Sequence, residues 1–355
     1  MKNTYRVVLL VILCIVIGGC AQVSFYGQSV LGHSKLMSKR QSVDKVLSES
    51  QDEVLKKQIE LSQRILEFAH QELALPKTKS YRTYVELPHD FPVWNVVAAK
   101  EFSLEPEQWC YLVIGCASYR GYFKMADAQR YAAKLQDKGL ETYVGGAIAY
   151  STLGWFKDPL LSSMFRYGDL YLAETLIHEL AHQRLYLNNW TTLNESFATI
   201  VAEEGMRRWL DKISPSQWSE FVKGKIADDD FADLIDGFKD VLRKVYASND
   251  ADADKRRAKQ LATDAFVMDY ERLKIQKWGG RGWYDNWMSK PINNARIAAY
   301  SSYQDYIPEL RELLEVCDKN LELFYQTIAN LSKISIENQS LESIPKKCHT
   351  AENIK

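Results

Sequence analysis

Apolar residues recur at helical spacing through most of the chain. Ahead of Pro76 they fall at Val43, Val46, Leu47, Val54, Leu55, Ile59, Ile65, Leu66, Ala69 and Leu73, with polar residues between. That rhythm predicts a long helical stalk or a first helical hairpin over residues 28–75, stopped at a proline that cannot donate a backbone hydrogen bond. Residues 81–87, 109–114 and 141–147 are instead brief runs rich in aromatic and β-branched side chains, the composition of strands. The Ala-rich stretch 124–138 between them ends at Gly139, as a helix does. Residues 171–186 then form an apolar-periodic run free of Gly and Pro, and a short polar turn leads to a second apolar helix ended by Gly205.

Past Gly205 nearly everything reads as helix. Ser214-Pro215-Ser216-Gln217 has the form of a capping box with Pro at the first helical position. Residues 228–246 and 250–277 carry helical spacing, the glycines at 279, 280 and 282 break the chain, and residues 294–330 make a last helical pair before a polar tail. Those glycines follow no strand and open no helix, which disfavours a phosphate-binding loop. The pattern as a whole describes an α+β fold, predominantly α, with a small sheet preceding the helix at 171–186. It divides into residues 1–19, 20–76, 77–212, 213–335 and 336–355.

Within residues 171–186 lies His178-Glu179-Leu180-Ala181-His182. On a helix, positions four apart are separated by roughly 40° around the axis and about 6 Å along it, so both imidazoles leave one face. Two neutral imidazoles can then hold an ion while Glu179, beside them, reaches a water on it as general base. A chance occurrence of the pentapeptide has no reason to bring a third ligand. Here the turn after Tyr186 lets the next helix run back, and Glu195 in its first turn can face both histidines. His178, His182 and Glu195 would leave a fourth position for water, the mark of a catalytic zinc site. His33, His70 and His89 have no partner at ligand spacing and read as surface or packing residues.

These residues carry a resemblance. The run from His178 to Gln183, then Trp190, then Leu193-Asn194-Glu195-Ser196-Phe197-Ala198 is similar to the gluzincin pattern of aminopeptidase N-like enzymes, in which the Glu of Asn-Glu-x-x-Ala is the third ligand; the spacer here is several residues shorter. More widely, residues 109–123, 149–156, the zinc segment and 293–303 resemble a bacterial lipoprotein family described as predicted aminopeptidases. The resemblance implies a zincin-like core, Zn2+ as cofactor and a peptide as substrate. It implies that the strand at Gly145-Gly146 could hold the substrate backbone by edge pairing, a bulge or turn being the other reading. It also implies a tyrosine from the C-terminal part as oxyanion donor, Tyr303 first and Tyr300 second. Glu203 and Glu204 are rival third ligands, because their separation from His182 is nearer the usual gluzincin spacing; the Asn194-Glu195 match favours Glu195. The Gly-x-Met-Glu-Asn segment that binds a substrate's terminal ammonium in aminopeptidase N-like enzymes is missing, which keeps an envelope endopeptidase open. A non-catalytic envelope scaffold is a further alternative, against which the intact Glu179 argues.

Composition narrows the setting. The 355 residues, 46% hydrophobic and 26% charged, can bury a large core, and a formal net charge of -1 offers no case for nucleic acid as partner. Lys2 and Arg6 precede an apolar run over 7–17, and Ile17-Gly18-Gly19-Cys20 resembles a lipobox, with cleavage before Cys20 and lipid on that residue; an uncleaved anchor is the alternative. Ala21 resembles the outer-membrane sorting preference of Gram-negative bacteria, which would place a lipid-anchored domain in the cell envelope facing the periplasm. Cys110, Cys116, Cys317 and Cys348 then remain, an even number suited to an oxidising compartment. Of three pairings, Cys110 with Cys116 is preferred as a staple on a tight loop, with buried free thiols as the other reading.

Overall fold

The computed structural model describes residues 25–111, 115–152, 156–335 and 338–348. Cys20 and the expected targeting segment lie outside these. Its strands are β1 (Gln41–Ser42), β2 (Thr83–Val85), β3 (Val93–Lys100), β4 (Trp109–Tyr111), β5 (Gly115–Ala117), β6 (Arg120–Tyr122), β7 (Leu140–Ala147) and β8 (Leu160–Leu161). Its helices are α1 (25–38), α2 (Val43–Glu49), α3 (Glu53–Glu72), α4 (Met125–Gln136), α5 (Asp169–Arg184), α6 (Thr191–Ile213), α7 (Pro215–Ala247), α8 (Asp252–Gln276), α9 (Asp285–Met288), α10 (Asn294–Gln304), α11 (Ile307–Val316) and α12 (Leu321–Ala329). The chain is therefore α+β and mostly helical.

The main sheet has the order β6-β3-β7, antiparallel throughout. β3 pairs with β7 over eight residues, from Val93 opposite Ala147 to Lys100 opposite Leu140, so the central strand is one that the pattern of residues did not predict. Val93-Trp94-Asn95-Val96-Val97-Ala98-Ala99 does not alternate, because both faces are covered. Val96 and Ala98 pack under α4, whereas Val97 and Ala99 meet Ala295 and Ala298 of α10. Gly145 and Gly146 sit in regular β7 register opposite Asn95 and Trp94, without a bulge. A Cβ at Gly146 would lie 2.2 Å from the Phe91 ring, so this glycine makes room for the protein's own aromatic side chain.

The N-terminal region is neither a stalk nor a single hairpin. α1, α2 and α3 are separate, and the apolar stripe of α3 (Ile59, Ile65, Leu66, Ala69) is buried against α5. One core joins Leu36 of α1, α3, α5, α6, α11, α12 and Ile344. A second, aromatic core around Phe231, Phe266, Tyr270 and Tyr300 joins α7, α8, α9 and α10. α7 begins at Pro215, but the Ser214 side chain makes no cap bond and instead lies 3.2 Å from the Ser216 hydroxyl, so the expected capping box does not form. The expected last pair is three helices, broken after Gln304 and at Cys317. No helix among the described residues is long and apolar enough to cross a membrane.

Candidate metal centre

α5 presents its histidines from a helix held on two sides. Leu172, Leu176, Ile177, Leu180 and Ala181 are buried toward α3 and α6. α6 does not end at Gly205 but runs on to Ile213, because this glycine is a contact and not a stop. A Cβ there would fall 2.8 Å from Leu73 and 3.0 Å from Ile177, so its absence lets the chain after α3 and the backbones of α5 and α6 close together.

On that platform the Nε2 atoms of His178 and His182 are 3.1 Å apart, with rings nearly perpendicular at 87°. Oε2 of Glu195 lies 3.3 Å from the first and 3.6 Å from the second. Three ligands about 2.0–2.1 Å from a tetrahedral ion would stand about 3.3 Å from one another, so these residues fit a zinc-sized cation. Each offers one ligand atom to the same point, and no other such group of histidine, cysteine or acidic side chains occurs among the described residues. Glu195 opens the second turn of α6 and not its first, since the helix starts at Thr191. Burial opposes its charge, yet His182 and His178 draw its carboxyl down to about 2. Burial likewise opposes a proton on His182, but the Glu195 carboxylate more than offsets this and raises it above 6.5.

The turn between the two helices is locked by asparagines. Oδ1 of Asn194 accepts from the Leu187 N–H at 2.8 Å and its Nδ2 donates to the Leu187 carbonyl at 2.7 Å, both buried. Asn189 adopts a left-handed conformation (φ 65°), and its Oδ1 accepts the Cys116 N–H at 2.7 Å. Cys116 belongs to the β4-β5 hairpin, where it faces Cys110 in register and is joined to it by a disulfide; a second disulfide joins Cys317 to Cys348. The stapled hairpin thus rests on the turn that sets Glu195 in place.

Glu179 completes the centre. Its Oε2 is buried with no hydrogen-bond partner, an orphaned acceptor on the residue that follows His178, and its charge acts on His182. Its charge, together with the larger effect of burial, raises the Tyr81 hydroxyl and the Asp158 carboxyl, so these two residues flank it. Of the two expected tyrosines, Tyr300 is placed away from the centre. Tyr300 packs in the second core, against Phe231, Tyr284 and Trp287. Tyr303 belongs to α10, and its side chain lies outside the described residues. Burial and then Glu195 raise the hydroxyls of Tyr119 and Tyr186, the latter to about 12, and Glu179 also acts on Tyr119. The Tyr186 ring is 6.2 Å from that of His182. Tyr186 stands four residues after His182, a spacing that could have been read; Tyr119 gave no signal beyond its place in a segment that resembles the family.

The rival acids are engaged elsewhere. Glu204 accepts from Arg207 and Arg208, each at 2.7 Å, and Glu203 pairs with Arg311 at 3.2 Å. His33 contacts Tyr150, His70 the Leu75 carbonyl, and His89 is exposed.

A family model described as "Putative aminopeptidase" matches residues 24–341, most of the chain. Comparison with curated proteins and with solved structures returned no match.

Proposed function

The chain belongs to the family described as "Putative aminopeptidase", and on that footing we propose that it is a zinc-dependent peptidase with a zincin-like, gluzincin-type centre. His178, His182 and Glu195 would hold Zn2+, which supplies Lewis acidity and brings bound water to a pKa near about 7. The single observation that carries this reading is the convergence of the three ligand atoms on a helix that also carries the orphaned Oε2 of Glu179. A buried carboxylate oxygen without a partner is costly unless something arrives to share its charge. Glu179 takes the proton of the attacking water and passes it to the leaving amine. The Glu195 charge acts on the hydroxyls of Tyr119 and Tyr186, which are candidate donors to a developing oxyanion beside Tyr303, whereas Tyr300 packs in the second core.

The substrate is a peptide, as the family implies. Aminopeptidase action is the first reading. An endopeptidase is favoured by one feature: no acidic residue follows Gly145-Gly146 until Asp158, and that side chain is fully buried and bonded to Thr152. Lipid attachment at Cys20 and a position in a Gram-negative envelope, facing the periplasm, complete the proposal. The experiment that separates the two peptidase readings compares free and N-terminally blocked peptides of one sequence with the zinc-loaded protein. Cleavage of free peptides alone supports the aminopeptidase, cleavage of both the endopeptidase, and cleavage of neither at any metal loading removes the enzymatic reading.

A further inference from the structure

Behind Glu179 the molecule carries a second feature that peptide-bond hydrolysis does not use. An open cleft of about 750 Å3 is lined by Arg40, Lys77, Lys79 and Lys157, with Thr78 and Gln183 at its wall. The chain as a whole is nearly neutral, and about half of its described lysines and arginines have a carboxylate in reach, such as Lys225 with Glu174 at 2.8 Å or Arg208 with Glu204 at 2.7 Å. Among the described residues none of the four cleft cations is paired with a carboxylate. Arg40 is fixed by two main-chain contacts, Nε to the Met37 carbonyl at 2.9 Å and Nη1 to the Lys157 carbonyl at 3.3 Å, and lines the cleft with its charge unpaired by a carboxylate. A concave surface lined by one sign of charge focuses its field on a counter-ion.

The cleft shares its walls with the metal centre. Gln183 follows His182 on α5 and stands one helical turn beyond Glu179, about 6 Å along the axis. Its Oε1 accepts from the Thr78 hydroxyl at 2.8 Å. Thr78, Lys79 and Ser80 line the cleft, and the next residue, Tyr81, flanks Glu179. Phe156 and Lys157 line it too, and the next residue, Asp158, flanks Glu179. The two segments are joined by the Tyr81 N–H to the Asp158 carbonyl at 2.6 Å and by the Asp158 N–H to the Ser80 hydroxyl at 3.1 Å. The segments that line the cleft are therefore the ones whose next residues, Tyr81 and Asp158, feel the charge of the general base.

We propose that this cleft binds the free α-carboxylate of a short peptide substrate, so that the enzyme measures its substrate from the carboxyl end. This deepens the peptidase reading and rests on it. Carboxylate recognition by several lysines and an arginine is charge-assisted and, in an open cleft, falls with ionic strength.

The test uses binding, so that it does not depend on turnover. Tetra-alanine and its C-terminal amide are titrated calorimetrically into zinc-loaded Glu179→Gln protein, with and without Lys77→Gln, Lys79→Gln and Lys157→Gln together. The free acid should bind roughly tenfold more tightly than the amide. The triple substitution should abolish that preference and leave amide affinity unchanged. Equal binding of acid and amide, or a preference that survives the triple substitution, overturns the proposal, even if the wild type proves to be a peptidase. If the wild type cleaves nothing, the binding preference still decides the cleft's role. A parallel sedimentation with phosphatidylglycerol and phosphatidylcholine vesicles covers the other source of anions. Loss of phosphatidylglycerol binding in the triple variant, with peptide preference intact, would assign the cleft to lipid and overturn the proposal.

Discussion

Asn194 clasps Leu187 by both polar atoms of its carboxamide, at 2.8 and 2.7 Å, and this clasp closes the turn between α5 and α6. The next residue is Glu195, so the same turn that shortens the spacer between His182 and the third acid also fixes where that acid points.

Replacing Asn194 by alanine leaves the Leu187 N–H buried without a partner, at a cost on the order of 1–3 kcal/mol, and leaves its carbonyl with the Trp190 N–H alone, at 3.3 Å. We expect Asn194→Ala to lower the unfolding free energy of the metal-free protein by about 1–3 kcal/mol and to weaken zinc binding as Glu195 loses its register. Asn194→Asp keeps the acceptor but loses the donor and should fall between the two. Urea denaturation and competitive zinc titration read the two effects; unchanged zinc affinity in Asn194→Ala would detach the clasp from the centre.

Glu179→Gln should separate binding from chemistry. The amide is nearly isosteric and removes the base without removing a ligand, so zinc content should match the wild type. Turnover of a peptide cleaved by the wild type should fall by about 10²–10⁴. Metal analysis of the dialysed protein beside steady-state kinetics checks this. A variant that loses zinc together with activity would make Glu179 a ligand and not a base.

Much of this centre was legible because helical geometry converts sequence spacing directly into direction. His178 and His182 had to share a face, and a short polar turn had to bring the following helix back. What was not legible came from contacts between segments distant in sequence. β3 was missed because its two buried faces erase alternation. Gly205 was misread as a stop because only the packed structure shows Leu73 and Ile177 crowding it. Tyr119 was missed because nothing local ties a residue on the β5-β6 connection to Glu195. The cleft cations are spread from Arg40 to Lys157, and along the chain each is an ordinary surface charge.

The paired shifts of His182 and Glu195 set a pH dependence with a definite sign. The folded, metal-free protein holds the His182 proton above 6.5, so the ion pair's stabilisation from this group is full below 6.5 and is lost as pH rises through the raised value. The Glu195 carboxyl is depressed from 4.5 to about 2, so its share is present above 4.5 and is lost as pH falls toward 2. The pair therefore helps the metal-free fold most between about 4.5 and 6.5. Zinc needs the imidazole unprotonated, so the zinc-induced rise in Tm should be small there and grow as pH increases. Thermal melts with and without zinc from pH 5 to 9 test this; a zinc-induced shift that is flat or shrinks with pH would contradict it.

The two disulfides should have unlike consequences, because they close unlike loops at unlike distances from the metal. Cys317–Cys348 spans 31 residues and ties the chain after α12 to the end of α11, in the main core. Loop-closure entropy makes such a bond worth roughly 3–4 kcal/mol, against about 2 kcal/mol for the six-residue loop of Cys110–Cys116. Yet it is Cys116 whose N–H is held by Asn189 in the turn leading to Glu195. Paired alanine substitution at 317 and 348 should lower Tm more, with zinc affinity and kcat per folded molecule retained. Substitution at 110 and 116 should lower Tm less but weaken zinc binding and turnover. Melting curves, zinc titration and kinetics on both double variants distinguish the cases. If the 110 and 116 variant keeps full zinc affinity and activity, the stapled hairpin is a stability element and does not support the centre.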